Sequence, residues 1–152
     1  MKIIATNKKA RHDYFIEDSY EAGLVLQGSE IKSVRNGEIN LKESYAAFQG
    51  NELWLMNAHI APYKPASREN HEPRRQRKLL MHRRQLKRLK DTLQQKGLTL
   101  IPLKVYLKSG LAKIELGLAR GKKNYDKRET LKKRDDDRQI ERSLGRQVKG
   151  NY

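Results

Sequence analysis

A chain of 152 residues of which 36% are hydrophobic can bury one modest core, so one domain with an appendage is expected and two full domains are excluded. Lys and Arg number 34 against 18 Asp and Glu, a formal charge of +16 that points first to a polyanionic partner, and the apolar runs are far too short to span a membrane. There is no cysteine, which excludes disulfides, thiolate metal sites and a cysteine nucleophile, and the opening MKIIATNKKAR returns to charge too soon for a secretory signal, so a soluble intracellular protein is expected.

In chain order, YFIEDSYEAGLVL over 14–26 is rich in aromatic and β-branched residues and is interrupted by Gly23, which predicts a bent or bulged strand pair. GSEIKSVRNGE predicts a short helix with Ser29 as N-cap, Ile31 and Val34 on one face and Gly37 as the stop. ESYAAF and ELWLMNAHI, joined by Gln49, Gly50 and Asn51, form a hairpin pattern. From Pro73 the periodicity becomes helical, with Leu79, Leu86, Leu89 and Leu93 on one stripe and Gly97 where a C-terminal cap belongs. Residues 98–108 then alternate, Leu103, Val105 and Leu107 against Lys104, Tyr106 and Lys108. After Ser109 and Gly110, Ala112, Ile114, Leu116 and Leu118 alternate with Lys113, Glu115, Gly117 and Ala119, completing a second hairpin. Several short antiparallel strands with one or two helices predict a small closed or partly closed β-barrel, of which an OB-like barrel is one solution, because closure removes exposed edges. The pattern leaves the strand order open.

Two regions carry much of the charge. Residues 71–90 hold nine Lys or Arg against one acid, too lopsided for salt-bridge lacing, and a phosphate-contacting helix face is expected there. Residues 120–152 hold twelve Lys or Arg against six acids and six sizeable apolar side chains, too few to offset the entropy of ordering the segment, so it is expected to be disordered when free. Asp126 with Glu129, the pair Glu129 and Lys133, and the face Ile140, Leu144 and Val148 nevertheless predict a helix on a template. The expected division is a nucleic-acid-binding barrel over 1–120 and a basic tail over 121–152.

Catalytic chemistry is not apparent. The four histidines, at 12, 59, 71 and 82, lack zinc-motif spacing and are expected at the surface or on RNA. Asp135, Asp136 and Asp137 are adjacent, so on a helix they point to different faces, and they balance Lys132, Lys133 and Arg134. No phosphate loop, nucleophile elbow or paired-carboxylate context appears. No catalytic residue, metal site or cofactor is expected.

QGSEIKSVRNGEINLKESYA, NAHIAPY, RKLLMHRRQL and above all ELGLARGKKNYDKRETLKKR, in this order along nearly the whole chain, resemble the small protein B family of SsrA-binding proteins, the bacterial partners of transfer-messenger RNA. The resemblance implies an OB-like barrel with peripheral helices and a tail that becomes helical on the ribosome. It also implies a non-enzymatic, cytoplasmic and monomeric protein, remote from membranes. The barrel would bind the tRNA-like domain of transfer-messenger RNA and take the place of its missing anticodon arm, while the tail enters the decoding centre and empty messenger channel of a stalled small subunit. Carried over by motif, the RNA face comprises Asn7, Lys8, Lys9, Arg11 and His12 of NKKARH, Glu21, Arg35, and Arg77, Lys78 and Leu80 of RKLL. The ribosome-binding tail comprises Gly121, Lys122 and Lys123 as hinge, Tyr125 near the decoding centre, Asp126, Lys127 and Arg128, then Lys132, Lys133 and Arg134. Relatives often carry His at the place of Tyr125, a Trp at the place of Asp135 to Asp137, and a bulkier residue or Thr at the place of Ser29. The rival class is a structural ribosomal protein or general RNA chaperone, which would share the charge and the barrel; a metal-dependent nuclease built on the Asp cluster is a third.

Overall fold

The structure, a computed structural model, describes residues 1–122. Strand β1 (Lys2–Thr6) is followed by the short helix α1 (Lys8–Asp13) and the long strand β2 (Tyr14–Leu24). Helix α2 (Gly28–Arg35), the short strand β3 (Ile39–Asn40), the hairpin β4 (Tyr45–Gln49) and β5 (Glu52–Met56), and the short strand β6 (His59–Ile60) come next. A 3-10 turn over Lys64–Glu69 leads to β7 (Arg77–Leu80), α3 (Arg83–Lys96) and the closing hairpin β8 (Thr99–Lys108) and β9 (Leu111–Gly121).

The main sheet closes on itself. Its antiparallel order β8-β4-β5-β7-β2-β9 returns to β8 through the β8–β9 pairing, while β1 hangs on the C-terminal half of β8, and β3 pairs with β6 apart from the ring. The fold is therefore mainly β, a small OB-like barrel with peripheral helices. The inward residues of each strand fill it: Ala22, Leu24, Ala46, Leu53, Leu55, Leu79, Leu100, Val105, Ile114 and Leu116 are all buried. Each fully buried Leu or Ile contributes about 1.5–3 kcal/mol against exposure. The β8–β9 turn uses Ser109 and Gly110, both at positive φ (52° and 77°), whose twist matches that of the flanking strands.

Several expectations change in tertiary context. Residues 14–24 form one strand rather than a pair broken at Gly23, and the irregularity is a bulge between Ile16 and Asp18. Gln27 caps α2 instead of Ser29: its side chain accepts from the Glu30 amide, and Glu30 returns a bond to the Gln27 N–H at 2.8 Å. The expected helix from Pro73 begins only at Arg83; residues 77–80 are β7, which joins β5 to β2 and without which the ring would be open. Leu79 fits the leucine stripe by spacing alone. The true stripe is Leu86, Leu89 and Leu93, with Leu89 buried and Gly97 closing the helix in the left-handed conformation. A bulge between Pro102 and Lys104 also moves Leu103 to the opposite face from Val105 and Leu107.

One buried polar unit ties α2 to β7. Arg77 and Glu30 have no exposed side-chain surface; Arg77 Nε donates to Glu30 Oε2 at 2.5 Å and its Nη atoms donate to the carbonyls of Ala58 (2.7 Å) and Pro73 (3.1 Å). Arg75 donates to the other Glu30 oxygen. His71, expected at the surface, is buried beside this unit: Nε2 donates to the Ile60 carbonyl at 2.9 Å, and Nδ1 lies 2.8 Å from the Ser29 hydroxyl.

Candidate RNA-binding face

The outer face of β8, β9, β2 and β7 presents registered rows of side chains. Tyr106 pairs with Lys113, Lys113 with Gly23 and Gly23 with Leu80, so these four residues cross the face in one line. The next row is Lys104, Glu115 and Glu21. Gly23 leaves a flat gap in which a Cβ would meet the Leu80 Cβ at 3.4 Å. Leu80, with no side chain opposite it, keeps 53% of its surface exposed, unusual for a leucine within a closed sheet.

Glu21 is held from one side. The Tyr106 hydroxyl donates to Glu21 Oε2 at 2.6 Å, and Lys108 Nζ stands 3.7 Å from the same oxygen. The Tyr106 bond, supported by Lys108 and Lys113, holds the Glu21 carboxyl below its usual range although partial desolvation opposes it. Burial, then the bond to Glu21, pushes the Tyr106 phenol well up, so Tyr106 stays a donor and Glu21 an anion at neutral pH. With 43% of its side chain exposed, Glu21 can accept hydrogen bonds from base amino groups or a ribose 2′-hydroxyl. Lys104, 3.2 Å from Glu115, and Lys113 place positive charge around it.

Helix α1 crosses the same face over a second, smaller apolar cluster of Ala10, Ile101, Leu103 and Ala119, flanked by Tyr14 and Ile16. Within that cluster Ile16 and Leu103 close over Gly117, where a Cβ would stand 3.1 Å from Ile16 Cγ2 and both Leu103 methyls. Asn7 pins the helix start: its Nδ2 donates to the Pro102 carbonyl at 2.9 Å and its backbone N–H to Leu103 at 2.8 Å. Its side-chain nitrogen is thus committed to the fold. Lys8, Lys9 and Arg11 are exposed, and His12 Nδ1 lies 2.8 Å from Asp13 Oδ1. Beside the helix end, Arg120 and Lys122 both stand 4.8 Å from the Phe15 ring centre, and Lys122 Nζ donates to the Arg11 carbonyl at 2.9 Å. Gly121 is the last residue of β9, and the Lys122 N–H donates to Asp13, so the first two expected hinge residues belong to the folded body.

Past Leu80, Lys78 sits 3.5 Å from Glu52, and α3 presents Arg83, Arg84, Lys87 and Arg88 to solvent. The structure thus puts Glu21, Leu80 and Lys78 on one face of adjoining strands, with Leu80 opposite Gly23 and Lys78 opposite Val25, and sets α1 with Asn7, Lys8, Lys9, Arg11 and His12 elsewhere on the outer surface. Arg35, exposed at the end of α2, stands on the helix that packs against β6. Arg77 is corrected: fully buried against Glu30, it cannot touch RNA, because alternation along β7 turns it inward while Lys78 and Leu80 face out. Lys123, Tyr125, Asp126, Lys127, Arg128, Lys132, Lys133 and Arg134, like Asp135 to Asp137, lie outside the described residues.

Sequence reading missed the partnership of Tyr106 with Glu21, 85 residues apart, and the Phe15 seat for two cations. The signal for the first was present in the alternation that puts Lys104, Tyr106 and Lys108 on the outward side of β8. Among the described residues no helix is long and apolar enough to cross a membrane.

A family model described as SmpB protein matches residues 4–146. The SsrA-binding protein of Geobacillus thermodenitrificans is 58% identical over 143 residues, covering 94% of this chain and 92% of that protein. The SsrA-binding protein of Bacillus subtilis is 54% identical over 149 residues, covering 98% and 96%. A solved chain described under "tmRNA-SmpB: a journey to the center of the bacterial ribosome" superposes with a TM-score of 0.67 at 49% identity, covering 84% of this chain and 93% of that one.

Proposed function

This chain belongs to the SmpB protein family, and from that membership we propose that it is an SsrA-binding protein that carries transfer-messenger RNA to stalled ribosomes. The observation that carries the reading is identity above one half along almost the full length of SsrA-binding proteins, joined by structural likeness to a ribosome-bound relative. The protein acts by binding and not by catalysis, as a monomer in the cytoplasm. Its barrel holds the tRNA-like domain and stands in for the absent anticodon arm. Residues 123–152 enter the empty messenger channel of the small subunit, with Tyr125 toward the decoding centre.

The geometry supports a division of labour on the outer face. Glu21, fixed by Tyr106, reads hydrogen-bond donors of the RNA, exposed Leu80 covers an apolar base or ribose surface, and Lys8, Lys9, Arg11 and Lys78 neutralise phosphates. The basic side of α3 adds phosphate contacts. Competition binding tests this reading. The tRNA-like domain should bind with a log-log salt slope of about −0.7 to −0.9 per phosphate neutralised. It should also outcompete an elongator tRNA of similar size at every salt concentration; equal competition would instead mark a general RNA chaperone or a structural ribosomal protein.

A further inference from the structure

On the flank of α1 nearest β4 there is a cleft of about 390 Å³, at the lower end of ligand-pocket volumes and suited to a single nucleotide. Ala10 and Ile101 supply apolar surface, Tyr14 and Tyr45 supply rings, and Glu43 and Thr99 supply polar groups. Among the described residues, the Glu43 carboxylate and the hydroxyls of Tyr14, Tyr45 and Thr99 make neither a hydrogen bond nor an ion pair. Glu43, Tyr45 and Thr99 are exposed and Tyr14 is half-buried, so these four groups are open to a ligand that enters the hollow.

Glu43 is held there at a cost. Its φ is +64°, a left-handed conformation that a glutamate rarely adopts and a glycine would adopt without strain. A relay keeps it in place: Asn57, itself at φ +63°, donates through Nδ2 to the Glu43 carbonyl at 3.2 Å, and Arg74 Nη1 donates to Asn57 Oδ1 at 3.0 Å. A glycine would relieve the turn but delete the carboxylate.

Charge selects the ligand. Lys9 and Asp13 also line the cleft, 4.0 Å apart and with His12 on Asp13 as well, so among the described residues Glu43 is the lining charge that makes no ion pair, while Lys8, Arg11 and Lys42 are exposed neighbours in sequence. A cleft whose unmatched charge is a carboxylate repels a phosphate at that point but accepts the N–H edge of a base, whose phosphate can lie toward Lys9. Guanine alone among the RNA bases offers two adjacent N–H donors, N1–H and N2–H, that match one carboxylate. We propose that this cleft takes a single unstacked guanine of the bound RNA, with Glu43 accepting from N1–H and N2–H and the two tyrosines walling the ring. The assignment rests on the RNA-binding reading above and adds base selectivity to it.

The test uses the full chain, fluorescence anisotropy at one fixed salt concentration, and the nonaribonucleotides U4GU4, U4AU4, U4IU4 and U9. U4GU4 should bind about ten-fold more tightly than U4AU4, with the inosine probe, which keeps N1–H and lacks the 2-amino group, in between. Glu43→Gln should lose most of the preference. Glu43→Gly should lose it too while melting no lower than the parent, which separates recognition from folding. The tRNA-like domain is titrated in parallel. If it binds while all four nonamers bind equally, or if Glu43→Gly keeps the guanine preference, the cleft proposal is overturned and the RNA-binding reading stands. If the tRNA-like domain itself does not bind, that reading falls and the cleft proposal falls with it.

Discussion

Replacing Arg77 by Met separates a structural cation from a ligand-binding one. Met can occupy the space of the arginine stem, but it removes donors to Glu30, Ala58 and Pro73 that stand at 2.5, 2.7 and 3.1 Å. Breaking one partner of a buried pair costs roughly 3–5 kcal/mol, and each orphaned buried carbonyl roughly 1–3 kcal/mol. These terms overlap, and Arg75 and the Gln27 amide still hold Glu30, so a loss of about 4 kcal/mol is expected, lowering Tm by about 10–20 °C for a domain of this size. Urea unfolding followed by Trp54, the only tryptophan and the neighbour of Lys78 on β7, reads the loss directly. The pH dependence follows from Glu30. Burial pushes its carboxyl up, but Arg75, the Gln27 amide and Arg77 outweigh that and hold it below the usual range. Its stabilisation is therefore present above the unfolded-state value of about 4.3 and is lost as pH falls through the folded-state value. The parent and variant should differ most near neutrality and converge in acid. At a temperature where the variant is folded, RNA affinity should match the parent. A variant within about 1 kcal/mol of the parent at pH 7, or one that stays fully stable yet binds RNA weakly, would refute the reasoning.

Tyr106→Phe removes the main hold on Glu21, so the Glu21 carboxyl, followed by carbon NMR, should titrate at higher pH and affinity for the tRNA-like domain should fall; an unmoved midpoint would mean that Lys108 and Lys113 hold the anion. Because Glu21 sits below its usual range, its small contribution to stability is present at neutral pH and disappears as pH falls through its folded-state value. Ending the chain after Lys122 should leave the melting temperature and RNA affinity near those of the full chain, since it keeps the bonds of Lys122 to Asp13 and Arg11 of α1, while peptidyl transfer on stalled ribosomes is lost. A large fall in RNA affinity on that truncation would assign residues 123–152 to the RNA site.

The β8–β9 hairpin was legible because its information is local: strict alternation from Lys104 to Lys108 and from Leu111 to Leu118, on either side of Ser109 and Gly110, defines strand, turn and inward face without a partner. The stripe Leu86, Leu89 and Leu93 with Gly97 was legible for the same reason, and the run from GLARGKK to DKRE is specific enough to mark the family. Residues 77–80 were not legible, because Arg, Lys and Leu suit a helix and Leu79 stands one heptad before Leu86; only the need to join β5 to β2 makes them a strand. Closure of the ring also decides which cation goes inside. In sequence Arg77 looks like Arg74, Arg83 or Lys78, and nothing nearby says that Glu30, 47 residues away, waits for it in the core. Leu103 and Tyr106 follow the same logic: a one-residue bulge turns the first under α1, and pairing of β8 and β2 with β9 brings the second to Glu21. Periodicity along a chain reports the apolar face of an element, whereas the partner of a buried charge or a poised carboxylate is set by contacts across the closed sheet, which no local pattern encodes.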